Sequence, residues 1–142
     1  MSTSIRGRRG TWPQPLLVIS LSGSLFFFIG SALSDWAYAS SYEIQWENFA
    51  SWLLAGALIL SGIALAYAAA DLRKPARRSR AGVLFILWLA LGWIVGFFDV
   101  LMHARDACAS MPAGLWMSIT ASAAVAVAVW LFFFSLLAGD AS

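Results

Sequence analysis

The residues best placed to do chemistry lie in the segment GFFDVLMHARD, which runs from Gly96 to Asp106. Asp99 interrupts an apolar stretch and His103 follows four residues later, so both side chains lie on one face of a helix. A carboxylate beside an imidazole can relay a proton, bind a quinone headgroup or orient the histidine. The same pair can anchor a helix end instead, and we slightly favour the anchor because a lone histidine is more often structural than chemical.

Two glycines share a helix face with this pair. Gly92 and Gly96, in the segment GWIVG, form a GxxxG pair that allows another helix to approach closely. We therefore expect Asp99 and His103 to face protein rather than lipid and to contact each other, with Arg105 as the reserve partner. An ionisable group inside a membrane span is costly unless it is paired, so such a partner is needed.

Metal and haem chemistry is not predicted. His103 is the only histidine and Cys108 the only cysteine. One of each is too few for a zinc site built on these residue types, and haem with paired axial ligands needs a second ligand in reach. The sequence also contains no P-loop, Rossmann fingerprint or kinase motif, so no catalytic set is predicted.

The elements that must position Asp99 and His103 are membrane-spanning helices. The chain has 142 residues, of which 61% are hydrophobic and 11% charged, whereas soluble domains have about 25% charged residues. A span needs about 20 apolar residues. Four stretches meet this length and predict an all-α, integral membrane four-helix bundle that forms one domain over 1–142, with helices at roughly 15–34, 49–70, 82–102 and 113–138.

The distribution of charge predicts the orientation of this bundle. Eight of the nine basic residues fall on one side of the predicted spans, namely Arg6, Arg8, Arg9, Arg73, Lys74, Arg77, Arg78 and Arg80. The positive-inside rule then places both termini in the cytoplasm of a multi-pass inner-membrane protein. The two outward segments contain the acidic residues Asp35, Glu43, Glu47 and Asp106. A net charge of +2 is too small to indicate nucleic-acid binding.

Three sequence segments resemble a known family. They are SDWAYA, YEIQWENFASWLLAGALILSGIALAYAAADL and FDVLMHARDACASMPAGL, and together they look like the bacterial membrane family labelled domain of unknown function 2231. The resemblance implies a four-helix inner-membrane protein without an assigned activity, associated with periplasmic quinoprotein sugar dehydrogenases. Many members have His-Pro where this chain has Gln14-Pro15, so a two-histidine site for haem or metal does not carry over.

Two functions from different classes follow as expectations. The first is a non-enzymatic membrane subunit or anchor for a periplasmic or membrane partner, bound through a polar and aromatic patch of Glu43, Gln45, Trp46, Asn48, Arg105 and Asp106. The second is a redox or small-molecule role, with a quinone bound at the periplasmic mouth near Trp46, Asp99 and His103. Under either function, Asp99 and His103 should lie within reach of the segment 43–48. No cofactor is predicted under the first function, and a homodimer could supply further helices.

Overall fold

The computed structural model describes residues 15–73, 79–105 and 110–140, and these residues are helical apart from short connections. The four long helices are α1 (Pro15–Ser41), α2 (Ile44–Leu72), α3 (Arg80–His103) and α4 (Ala113–Asp140). Each is long and apolar enough to cross a membrane. The prediction of an all-helical protein with four helices of membrane-spanning length is confirmed.

The helices extend further than the hydropathy of the sequence indicates. α1 continues to Ser41 and α2 begins at Ile44, so most of the segment expected to form an outward loop is helical. Only Tyr42 and Glu43 connect the two helices, and Tyr42 turns the chain with a positive φ of 56°. Asp35 does not end α1 because it faces the interior of the bundle, where α3 and α4 supply polar partners.

The helices run up and down, with α1 and α3 each packed against both α2 and α4. One end of the bundle therefore contains the α1–α2 turn, the last residues of α3 and the first residues of α4, and we call it the Tyr42 end. The opposite end, the Arg80 end, contains Arg73 and the start of α3. There, Ser79 caps α3 by accepting a hydrogen bond from the Gly82 N–H at 3.0 Å.

Every helix buries one narrow seam whose positions alternate in steps of three and four residues, the spacing of a coiled-coil core. On α1 the seam is Leu21, Ser24, Phe28, Ser31, Asp35 and Tyr38. On α2 it is Glu47, Ala50, Leu54, Ala57, Ser61, Ala64 and Ala68. On α3 it is Phe85, Leu89, Gly92, Gly96, Asp99 and His103. On α4 it is Gly114, Ser118, Ala121, Val125 and Ala128.

Small seam residues let the helices approach closely, as expected for membrane bundles. A Cβ atom added to Gly92 would lie 2.5 Å from Val125 Cγ2 on α4, and one added to Gly96 would lie 2.6 Å from Phe28 Cε1 on α1. The GxxxG pair thus admits two neighbouring helices, whereas the sequence predicted the close approach of one. This close packing draws the end of α3 into the centre of the bundle.

Candidate functional site: a buried Asp–His–Asp network

A cluster of polar side chains occupies the seam near the Tyr42 end. α1 supplies Asp35, α3 supplies Asp99 and His103, and α4 supplies Ser118. Asp35, Asp99 and Ser118 are 0% exposed and His103 is 8% exposed. These four residues, which we call the polar network, lie at seam positions of three helices, so the packing that buries the apolar core also brings them together.

His103 joins α3 to α1 across the bundle. Its Nε2 atom lies 2.7 Å from Asp35 Oδ1. Its Nδ1 atom lies 3.0 Å from the backbone oxygen of Asp99, one turn earlier, and 3.2 Å from Asp99 Oδ1. Because both neighbours of Nδ1 are oxygen atoms that can accept, Nδ1 holds a hydrogen and donates it. This local bond fixes the ring so that Nε2 points at Asp35.

Ser118 joins the two carboxyl groups. Its Oγ atom lies 2.5 Å from Asp35 Oδ2 and 2.5 Å from Asp99 Oδ2. Ser31 Oγ is 3.4 Å from Ser118 Oγ and also donates to the backbone oxygen of Ala50 on α2 at 3.4 Å. The polar contacts therefore reach all four helices at one level of the bundle.

Counting hydrogens shows what the close contacts of this buried network require. Its four closest contacts are His103 to the Asp99 backbone, His103 to Asp35, and Ser118 to each carboxyl group, and each contact needs one hydrogen. The Ser118 hydroxyl and a neutral imidazole supply one each. Two further protons must therefore be held by the carboxyl groups or the ring. Two carboxylates with two added protons have no net charge, which avoids the cost of a buried ion.

Gly114 forms part of the wall around the network. A Cβ atom on Gly114 would lie 3.1 Å from His103 Cε1 and 3.6 Å from both His103 Nδ1 and Asp99 Oδ1. Any larger residue would therefore press against the imidazole. A glycine one turn before Ser118 is what allows α4 to pass so close to the histidine.

A separate apolar groove of about 460 Å³ lies between α1 and α4. Its lining residues are Ile29, Ala32, Leu33, Trp36, Leu115, Ile119 and Ser122. None of the four network residues lines it, and Ser122 is its only polar lining residue. The groove therefore lies beside the network without opening onto its carboxyl groups or its histidine.

The predicted contact between Asp99 and His103, inside the bundle, is confirmed. Their further partners differ from the expected ones, because Asp35 and Ser118 complete the network. Trp46 is 42% exposed, and its ring packs on Phe49 with the centroids 6.1 Å apart. Trp46 is therefore not enclosed in the bundle as Asp99 and His103 are.

The residues of the predicted partner patch are exposed where the structure describes them, namely Glu43, Gln45, Trp46, Asn48 and Arg105. Asp106 lies outside the described residues. All of the described members belong to the Tyr42 end. Arg105 is exposed, so it does not act as the reserve partner of the buried Asp99. Whether these side chains form one binding surface stays a prediction.

Asp35 and Glu47 were expected in an outward segment and are buried instead. Asp35 continues the seam of α1, seven residues after Phe28 and fourteen after Leu21, and this spacing could have revealed it. The Ser31–Ala50 contact sets the register of α1 against α2. Asp35 lies four residues after Ser31 and Glu47 three residues before Ala50, both towards the Tyr42 end. Their depths in the bundle therefore differ by only about 1.5 Å. Glu47 is 4% exposed, and neither carboxylate oxygen has a hydrogen-bond partner among the described residues.

Ser118 is not singled out by the sequence, since a small residue in an apolar stretch usually indicates close helix packing. It does occupy a packed seam, but its hydroxyl also bridges two carboxyl groups from different helices. A single serine among many gives no signal in one sequence. Its position four residues after Gly114 and seven before Val125 marks it as a seam residue, although this spacing does not reveal its partners.

The network also has the residue types of a metal site. One ligand atom from each of Asp35, Asp99 and His103 can be chosen so that all three lie within 4.8 Å of one another. The sequence argument against a metal counted only histidine and cysteine, and so passed over the two carboxylates. Comparisons with protein-family models, curated proteins and solved structures found no match for this chain.

Proposed function

We propose that this chain is a non-enzymatic subunit or anchor of the bacterial inner membrane, in which the polar network holds the Tyr42 end rigid for a protein partner. The enclosure of the network supports this proposal. Asp35, Asp99 and Ser118 have no exposed surface, whereas a residue that reacts with a substrate must be able to touch it. A closed network that joins three helices is better suited to fixing their arrangement.

The orientation of the bundle is part of the proposal. Arg73 and Arg80 are exposed at the Arg80 end, and the remaining basic residues assigned to this side, Arg6, Arg8, Arg9, Lys74, Arg77 and Arg78, lie outside the described residues. The excess of basic residues favours a cytoplasmic location for this end. The Tyr42 end would then face the periplasm, together with the network and the exposed patch.

The partner would bind the exposed residues of the Tyr42 end. Glu43, Gln45, Trp46 and Asn48 begin α2, and Arg105 follows α3. Tryptophan and arginine are the residue types that most often dominate interface energy. The resemblance to domain of unknown function 2231 suggests a periplasmic quinoprotein-type dehydrogenase as the partner, and a second copy of this chain is the alternative.

Co-purification of the full chain from its native membrane tests this proposal. Trp46→Ala combined with Arg105→Ala should reduce the recovered partner about tenfold or more, because each residue at the centre of an interface can contribute 2 kcal/mol or more. A matched control is Trp130→Ala with Arg73→Ala, which removes the same exposed residue types elsewhere on the bundle. Full retention of the partner by the Trp46/Arg105 variant would show that the patch has only a structural role.

The apolar groove favours a second candidate, a quinone-binding membrane protein. Its volume of about 460 Å³ lies within the range of small-molecule sites, about 300–1,000 Å³. Extraction of purified protein followed by mass spectrometry should then detect a quinone in stoichiometric amount. Ile119→Trp, which narrows the groove, should lower that amount, while Ile63→Trp on an exposed face of α2 should not. Equal amounts of quinone in both variants would indicate bulk lipid carried through purification.

A further inference from the structure

We propose that Asp35, Asp99 and His103 bind one divalent transition-metal ion, such as Zn²⁺, between α1 and α3. The three ligand atoms lie within 4.8 Å of one another. Neighbouring ligands of a tetrahedral zinc ion lie roughly 3.3 Å apart, given metal–ligand bonds of about 2.0–2.2 Å. The 2.7 Å contact between His103 Nε2 and Asp35 Oδ1 must therefore widen by roughly half an ångström.

The charges of these residues match a divalent ion. Without the two added protons, two carboxylates and a neutral imidazole have a formal charge of −2, which one divalent cation cancels as those protons are released. Net neutrality matters in this location because an uncompensated charge inside a membrane bundle is expensive. An imidazole with two carboxylates suits Zn²⁺, Fe²⁺ or Mn²⁺, and lacks the soft sulfur ligands that select Cu⁺.

An unpartnered buried oxygen independently points to a ligand. Asp99 Oδ1 is fully buried and accepts no well-aligned hydrogen bond among the described residues, although His103 Nδ1 lies 3.2 Å away. The Nδ1 hydrogen is directed to the Asp99 backbone oxygen at 3.0 Å instead. Leaving a buried carboxylate oxygen without a partner is costly. Coordination of a cation would remove that cost without requiring another side chain.

The surroundings of the three ligands are those of a metal centre. A ligating histidine usually donates its second ring N–H to a backbone or carboxylate oxygen, and His103 Nδ1 does so to the Asp99 backbone. Ser118 Oγ contacts the second oxygen of both carboxyl groups at 2.5 Å, which orients the carboxyl groups. His103 ends α3 at the Tyr42 end, so an ion would enter from that end.

This inference is independent of partner binding and is tested on the isolated chain. The full-length protein in lipid nanodiscs is stripped with a chelator and then equilibrated with Zn²⁺ or Co²⁺. We expect one bound ion per chain, and a visible Co²⁺ spectrum of nitrogen and oxygen ligands without a thiolate band. Asp35→Asn, Asp99→Asn and His103→Gln should each weaken binding more than about tenfold, since even outer residues of metal sites contribute 10–100-fold.

Matched controls separate this site from adventitious binding. Glu43→Gln removes an exposed carboxylate at the same end, and Cys108→Ser removes the only thiol; neither should change the stoichiometry. If a ligand variant fails to fold, the wild-type protein provides the test. Zn²⁺ must raise the midpoint of its thermal unfolding, because an ion that binds the folded state stabilises it. No midpoint shift, or binding that survives the triple Asp35→Asn, Asp99→Asn, His103→Gln variant, would overturn the proposal.

Discussion

Ser118 is the residue that α4 contributes to the polar network, and its one hydroxyl meets Asp35 and Asp99 at once. Both contacts measure 2.5 Å and join α4 to α1 and α3. Removing the hydroxyl leaves two buried carboxyl groups facing each other across a small void. An aspartate can regain a partner only by moving its helix, and neighbouring seams are too closely packed to allow this freely.

Ser118→Ala should therefore lower the free energy of unfolding by about 1–3 kcal/mol, the usual cost of leaving a buried polar group unsatisfied. The matched control is Ser122→Ala, one turn further along α4, because the Ser122 hydroxyl donates to a backbone oxygen of its own helix, that of Ser118. That change should stay within about 0.5 kcal/mol. Unfolding in mixed detergent micelles measures both variants, and equal losses would contradict the bridging role of Ser118.

At the scale of the helices, sequence reasoning succeeded where side-chain direction follows from local spacing. Gly92, Gly96, Asp99 and His103 fall on one face of α3 whatever surrounds the helix, so their burial could be derived. The number of helices could also be predicted from the sequence, because each of the four apolar stretches is long enough to span a membrane.

The same reasoning failed at Asp35 and Glu47 because hydropathy averages over all faces of a helix. A carboxylate lowers that average whether it points to water or to a histidine on another helix. The first helix was therefore predicted to end at residue 34, one residue before Asp35. Seam spacing marks Asp35 as an inward position, but only the assembled bundle shows that His103 and Ser118 lie opposite it.

Ser118 illustrates what sequence cannot supply at this scale. Its residue type is equally suited to close packing and to hydrogen bonding, and both occur in membrane helices. Which role dominates depends on the residues that α1 and α3 bring to the same level, since Asp35 and Ser118 are 83 residues apart in the chain. Such a contact is set by the whole packing arrangement.

At the scale of the whole molecule, the buried carboxyl groups of the described residues are concentrated at the Tyr42 end. The polar network, the buried Glu47 and the exposed residues at the start of α2 all lie there. In the other direction along the seam, Leu21, Phe28 and Leu54 are fully buried, and the buried hydroxyls of Ser24 and Ser61 donate to their own helices. The described residues thus offer no polar connection from the network to the Arg80 end, so its chemistry and its partners are expected on one side of the membrane only.

The side that the Tyr42 end faces therefore determines which compartment the network and patch serve. The loop between α2 and α3, with its flanks, contains Arg73, Lys74, Arg77, Arg78 and Arg80, five of the nine basic residues. Basic residues in short loops close to the span ends set orientation. A reporter that is active only in the cytoplasm should therefore be active when fused to the C-terminus. A reporter that is active only in the periplasm should be inactive there.

Replacing those five residues together with glutamine should produce a mixed population, because the three N-terminal arginines then oppose Arg105 with a much smaller bias. Two C-terminal fusions measure the two orientations: a fluorescent protein that is active in the cytoplasm and an enzyme that is active in the periplasm. Arg105→Gln is the control and should leave the wild-type orientation unchanged, since it removes the only basic residue assigned to the other side. A periplasmic C-terminus in the wild-type protein would reverse the proposed location of the patch and the ion entrance, or would require a different number of spans.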